Sequence, residues 1–414
     1  MGLLIIAAAL VMTSCFKDQE DYFDKSPSKR LQQTLEDVQQ LLRSAEYGWE
    51  FEYYPHGELA YGGIVYLVKF DSLEASVSCS LIPDSTATSY YRMTNDNGPV
   101  LTFDTYNPLL HYFSTPSASE YEAKGGEFEF VVNDISDDLI TLYGKKTHNT
   151  MYLRRLTSSP DDYAERTVAI YDNFIKGFAG SAEGNFDVLL RKLTLRDSDN
   201  PVAFAFTNRG IHLYHPIRIN GVEVQSFEFD SETRQLKALD EGTEDIILQG
   251  ERQPTDIMRF SEYASRYLLR YDKGSSTATV ELVPNRLEGN YRLRGLSPMY
   301  ELLLNYDDET GVLTLGPQIV GDIDGNSVYF ATYGSGIWIG ENSSFTIKWN
   351  GNRFYPTFNF EPTFPDRYDC ESALLITLAE TATGYAAAIV DKSEWATNGS
   401  CIFLNIVSLS KLRN

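Results

Sequence analysis

The sequence predicts an α+β protein built mostly of antiparallel β-structure. Its units are helix-plus-curved-sheet or barrel, lipocalin-like or sandwich in type, and repeated along the chain. Three observations predict this. Apolar and polar residues alternate with a period of two through most of the 414 residues. Aromatic residues make up 13% of the chain, 27 of them tyrosine, and suit twisted antiparallel sheets. Twice, a Ser-Pro helix start is followed by glycine and then by short alternating strands.

The uncharged run Leu3–Met12 is shorter than the ~20 residues that span a bilayer. It has the length of a secretory signal core and ends in Thr13-Ser14 before Cys15. That arrangement resembles a bacterial lipobox, so residues 1–14 are expected to be a signal peptide and Cys15 the lipidated residue. Residues 15–25 are read as an acidic, solvated tether. Ser26-Pro27 opens a helix whose apolar stripe is Leu31, Leu35, Val38, Leu42 and Ala45, and Gly48 ends it. Trp49–Tyr53 alternates apolar with acidic residues, as a half-buried strand does. Seven further short strands are predicted up to Leu153, with turns such as Asn95–Pro99 and Lys124–Gly126. One domain is therefore expected over 26–156.

Ser159-Pro160 opens a second helix, predicted through Phe178, and strands follow it in a second region over 157–285. A third helix is predicted at Thr255–Ser265. The remainder, 286–414, reads as a β domain, a barrel or sandwich, either separate from the second region or merged with it. Hairpin loops are expected at Asp307–Gly311, Asp322–Asn326, Trp349–Asn352 and Thr381–Gly384.

The chain carries 35 basic and 58 acidic residues, a net charge of −23, which disfavours nucleic acid and anionic lipid headgroups as partners. With Cys15 lipidated, Cys79, Cys370 and Cys401 remain, and Cys370 with Cys401 is the favoured pair if a disulfide forms; three buried free thiols are the alternative. No H-E-x-x-H, G-x-S-x-G or C-x-x-C occurs, so no catalytic residue, metal ligand or cofactor is assigned. Asp104, Tyr106, Asn107 and His111 form the densest polar-aromatic cluster and are candidates to line a ligand pocket; a turn held by Asn107-Pro108 is the competing reading. Trp338, Trp349 and Tyr355, with Trp395, are candidates for an aromatic platform, against core packing.

Several short motifs occur in order: Ser26-Pro-Ser-Lys-Arg-Leu31, Ala45-Glu-Tyr-Gly-Trp49, Gly62-Gly-Ile-Val-Tyr66, the run Gly98–Phe113, and Gly126-Glu-Phe-Glu-Phe130. Over about 15–156, and more loosely to about 285, this pattern resembles a Bacteroidota lipoprotein family of unknown function, domain-of-unknown-function family 4302. The resemblance implies a lipid-anchored protein of the outer membrane facing the cell exterior. It also implies an accessory role beside a SusC/SusD-like importer, and it brings no catalytic residues. The expected function is non-catalytic binding of a glycan or peptide. The alternatives are a β-scaffold hydrolase of glycosidase type and a purely structural partner of the importer.

Overall fold

The computed structural model describes residues 27–412 apart from 97, 117–121, 181–184, 197, 199, 252–254, 335, 341–342, 364–370 and 382–383. Cys15, the leader, Ser26 and Cys370 lie outside the described residues. Antiparallel β-structure dominates, in three units with two α-helices between and beside them. Among the described residues no helix is long and apolar enough to cross a membrane.

Helix α1 (Pro27–Ser44) starts at the expected proline. Val38, Leu42 and Ala45 are buried by the first sheet, while Leu31 and Leu35 are half-buried. Gly48 turns the chain into the sheet at φ +90, where a Cβ would lie 2.6 Å from the Val68 carbonyl oxygen. A side chain has no room there, and an L-residue would be strained as well.

Nine strands between Trp49 and Arg155 form an open half-barrel. The first, Trp49–Tyr53, lies between Ile64–Phe70 and the last, Thr150–Arg155, so the edges are Ile82–Tyr90 and Arg92–Asn95. Trp49, Phe51 and Tyr53 point into the core, where Phe51 meets Phe130 edge-on at 5.1 Å. The edge strand Ile82–Tyr90 was not predicted. It is polar and half-exposed, so it carries no apolar alternation to read.

Helix α2 (Pro160–Asn173) opens as expected, with Ser159 Oγ accepting a hydrogen bond from the Asp162 amide at 3.1 Å. It stops at Asn173 and not at Phe178. Phe174 turns to extended geometry, and Phe178 falls in a strand, Gly177–Ala179, fully buried. That strand begins a closed eight-strand meander ending at Ile247–Gly250, the middle barrel. Its interior is filled by side chains such as Phe178, Phe186, Phe204, Phe227 and Leu236.

The helix expected at Thr255–Ser265 is only a 3-10 turn, Phe260–Glu262, and a strand starts at Ser265. The reason is tertiary: Met258 and Tyr263 are anchored in the core of the next unit, and Glu262 is held by Arg353. That strand, Ser265–Tyr271, closes a second eight-strand barrel with Ser408–Lys411. The hairpin of Ser276–Asn285 and Asn290–Arg294 belongs wholly to this barrel, so the chain passes through 285–286 without leaving it. A further sheet built on Gln318–Ile323, Asn326–Tyr333, Ser372–Thr381 and Gly384–Ile389 is inserted between the barrel's strands, and Phe330, Ala373 and Leu375 join its core. Inside the barrel, Leu269, Leu293, Leu302, Leu315 and Phe360 line a void of about 10 Å³, about the size of one water.

Candidate functional site

Asn107, His111, Asp104 and Tyr106 are brought together by one turn, away from the cleft described below. Asn107 is fully buried. Its Oδ1 accepts from the Leu109 and Leu110 amides, and its Nδ2 donates to the Ala87 carbonyl and to Ser89 Oγ. Every polar atom of the amide is thus engaged in holding the loop. Asp104 pairs with Arg92 at 2.5 Å. His111 stacks on Phe128 at 5.2 Å and lies 5.6 Å from Tyr106, which is 64% exposed. Burial pushes the His111 pKa down.

The three C-terminal candidates sit on different elements. Trp338 lies on a two-residue strand of the inserted sheet, paired opposite Thr332. Trp349 ends a barrel strand and carries the Arg353 guanidinium over its ring at 4.9 Å. Tyr355 is exposed in the loop that follows, beside Phe354. Trp395 is buried against Tyr300.

Two constellations that sequence reasoning did not assemble stand out. The first lies where the outer face of the half-barrel meets α2 and the middle barrel. Tyr54, Val65, Leu67, Tyr163, Ala203 and Ala205 form its apolar part. Glu52, expected to face solvent, is fully buried there and binds Tyr54 Oη at 2.5 Å, His212 Nδ1 at 2.7 Å and Arg154. Hydrogen bonds and charge from His212, with the Arg154 guanidinium, outweigh burial and hold the Glu52 pKa below the usual carboxylate value. Its neighbour Glu50 meets the Arg154 guanidinium only at 4.0 Å. Burial dominates and raises its pKa to about 7.

The second is a cleft of about 700 Å³ where all three units meet. Its walls carry Tyr171 and Phe174 from the end of α2, Phe206 from the middle barrel, and Phe260 and Tyr306 from the C-terminal barrel. Burial raises the Tyr171 pKa to about 12, so its hydroxyl stays neutral. Polar groups come from the Asp307–Glu309 loop, from Lys176 and Lys192, and from Asn305 and Thr314, which face each other across a strand pair. Lys176 Nζ lies 3.0 Å from Asp308 Oδ1 and 5.9 Å from the Tyr306 ring centre. Asp172 is held bidentately by Arg286, and Glu288 by Lys124 at 3.3 Å and by Tyr112 Oη. The size is that of small-molecule sites, ~300–1,000 Å³. Beneath it, buried Arg191 donates to the carbonyls of Tyr61, Arg286 and Leu287, one chain segment from each of two other units.

A family model described as a domain of unknown function, DUF4302, matches residues 19–231, more than half of the chain. The chain belongs to the DUF4302 family. A second model, also described as a domain of unknown function, matches residues 239–376. No curated protein and no solved structure matches. The DUF4302 match ends one residue after the strand Val222–Asp230, so the last two strands that close the middle barrel lie beyond it. The cleft also crosses the boundary: Tyr171, Phe174 and Phe206 belong to the DUF4302 match, Phe260 and Tyr306 to the second.

Proposed function

We propose that this protein is an outer-membrane lipoprotein, anchored at Cys15 and facing the cell exterior, that binds a ligand for a SusC/SusD-like importer without transforming it. The observation that supports the reading is the cleft at the meeting of the three units. It is open, walled by aromatic rings and furnished with polar groups that orient a ligand. Binding sites favour such junctions because separate units contribute opposite walls.

A glycosidase-type hydrolase finds less support in the same cleft. Catalysis there needs one carboxyl free to donate a proton and another free to attack or activate water. Asp172, Glu288 and Asp308 are each held by a cation, and Asp307 accepts from the Glu309 and Thr310 amides of its own loop, which lower its pKa; that leaves Glu309 without a second free carboxyl beside it in the cleft lining.

The test is a retention assay on the full chain in detergent. Wild type and Thr314→Trp, which fills the cleft, are incubated with mixed polysaccharides and peptides, and bound material is identified by mass spectrometry. Intact ligand retained by wild type and lost by the variant is expected. Equal retention by both, or recovery of cleaved products, overturns the reading. In the same strains Cys15→Ala is expected to release the protein from membranes, and continued membrane retention overturns the anchor.

A further inference from the structure

Resting on the reading of the cleft as a ligand site, we infer that its ligand is an uncharged, hydroxyl-rich ring polymer, a neutral oligosaccharide. The first argument is charge. Of the ionisable side chains that line the cleft, Asp172, Lys176, Arg259, Glu288 and Asp308 are paired within the protein and Asp307 is held by amides of its own loop, while Lys192 and Glu309 leave one charge of each sign. Asp172 pairs with Arg286 at 2.8 Å, Lys176 with Asp308 at 3.0 Å, and Glu288 with Lys124 at 3.3 Å. Arg259 lies 3.7 Å from Glu262. An ionic group of a ligand that met one of these pairs would have to displace it and leave its partner without a counter-charge, which is costly. A neutral ligand leaves them intact and uses their remaining lone pairs and N–H groups.

The second argument is the wall. Tyr171, Phe174, Phe260 and Tyr306 are only half-buried, so parts of their rings face the cleft. They are arranged tilted or edge-on to one another, as Tyr171 and Phe260 are at 6.0 Å and Phe260 and Tyr306 at 5.4 Å. Ring faces not consumed by stacking among themselves remain open to a flat, apolar ring face of the ligand. Asn305 and Thr314 add an amide and a hydroxyl on the adjoining strand surface, suited to hydroxyl groups at the ring edge.

The third argument separates a glycan from a peptide. A common way to hold an extended peptide is to add it as a strand to an open sheet edge. The strands that line the cleft belong to two closed barrels. Leu302–Tyr306 is paired on both sides, by Asn290–Arg294 and by Leu313–Leu315, and Lys192–Leu195 likewise by Phe186–Leu189 and Pro201–Phe206. Among the described residues these strands offer no free edge there to a peptide backbone.

The test is affinity electrophoresis of the full chain through gels containing starch, mixed-linkage glucan, xylan or galactomannan, with polygalacturonate as the acidic control. A casein digest is offered in solution as the peptide control. Retardation by at least one neutral polysaccharide is expected, changing less than about twofold between 0.05 and 0.5 M NaCl because no ion pair forms on binding. Tyr306→Ala and Asn305→Trp are each expected to weaken it at least about tenfold, a loss of ~1.4 kcal/mol. Two variants with different effects on packing guard against a folding defect in one. Binding of polygalacturonate or peptide that both variants abolish overturns the neutral-glycan inference while leaving the cleft as a binding site. Retardation unchanged in both variants overturns the cleft itself. Failure of every neutral polysaccharide to retard the wild type overturns the inference.

Discussion

At the scale of single residues, the clearest assignment is Arg191. It sits at the tip of a hairpin in the middle barrel, fully buried, and no carboxylate balances it directly. Its charge is met by three carbonyls, at 2.9 Å from Tyr61, 2.9 Å from Arg286 and 2.6 Å from Leu287. Burial pulls its pKa down from the usual guanidinium value, yet only the charged fork supplies donors in three directions. Arg191→Met is expected to cost about 3 kcal/mol or more, since hydrogen bonds from charged groups are worth ~1.5–3 kcal/mol each and the carbonyls are left unmet. Arg191→Lys is expected to recover little of this, because one ammonium cannot reach all three. Denaturant unfolding of the three proteins checks it; equal stability of wild type and Arg191→Met would show that water replaces the guanidinium. Nothing in the local sequence marks this arginine. It lies between Leu190 and Lys192 in a two-residue turn, and its partners come from two distant segments.

At the scale of elements, the Asp104–His111 segment shows how a polar-aromatic cluster arises without a site. The residues are gathered because Asn107 closes the turn from within, and the neighbouring Leu109, Leu110 and Phe113 are buried beneath the half-barrel. Asn107→Ala is expected to lower stability by about 2 kcal/mol, from two lost caps and two unmet acceptors. Tyr106→Ala, at an exposed position, is expected to change it by less than about 0.5 kcal/mol. Thermal melts of both decide the matter, and a stable Asn107→Ala would return the amide to the list of ligand groups. The helix starts were legible because their signal is local: Ser159, Pro160 and the acids Asp161 and Asp162 all act within one turn. So was the turn at Asp324-Gly325, where both residues take positive φ between paired Ile323 and Asn326. The strand Ile82–Tyr90 and the end of α2 were not, because partners elsewhere in the chain decide them.

At the scale of the whole molecule, the joint between half-barrel and middle barrel carries a titration. Glu50 faces Glu52 on its own strand, Arg154 on the next, Tyr163 on α2 and His212 on the middle barrel. Its pKa is raised from 4.5 to about 7 by burial. Below pH 4.5 the carboxyl is protonated whether the chain is folded or not, and its contribution to stability is fully present. As pH rises towards 7 the unfolded chain releases the proton and the folded one retains it, so stability falls; above 7 it changes no further. The ceiling on this loss is about 3 kcal/mol, and the 14% exposure left to the side chain reduces it. Glu50→Gln removes the ionisation and keeps the shape. The variant is expected to gain on wild type between pH 4.5 and 7.5 in parallel unfolding titrations. Carboxylates distant from Glu50 whose pKa is lowered, such as Asp71, Asp230 and Glu262, oppose this trend equally in both proteins, so the difference reports Glu50 together with its coupled neighbour Glu52. A difference independent of pH would overturn the assignment.

What depends on near neighbours is legible along the chain: antiparallel β-structure from the alternation, helix starts from Ser-Pro, turns from Asp-Gly and Asn-rich loops, and membership of a family of unknown function from ordered short motifs. The tertiary structure alone decided barrel closure, the burial of Glu52 and the position of the cleft. An alternating strand specifies that one face is apolar, but not which later strand it meets or what covers its other face. Gly177–Ala179 closes on Ile247–Gly250, and Tyr171 approaches Phe260 across the junction. Contacts of that kind join residues some seventy to ninety positions apart, about the length of a whole unit, and leave no trace in the local pattern.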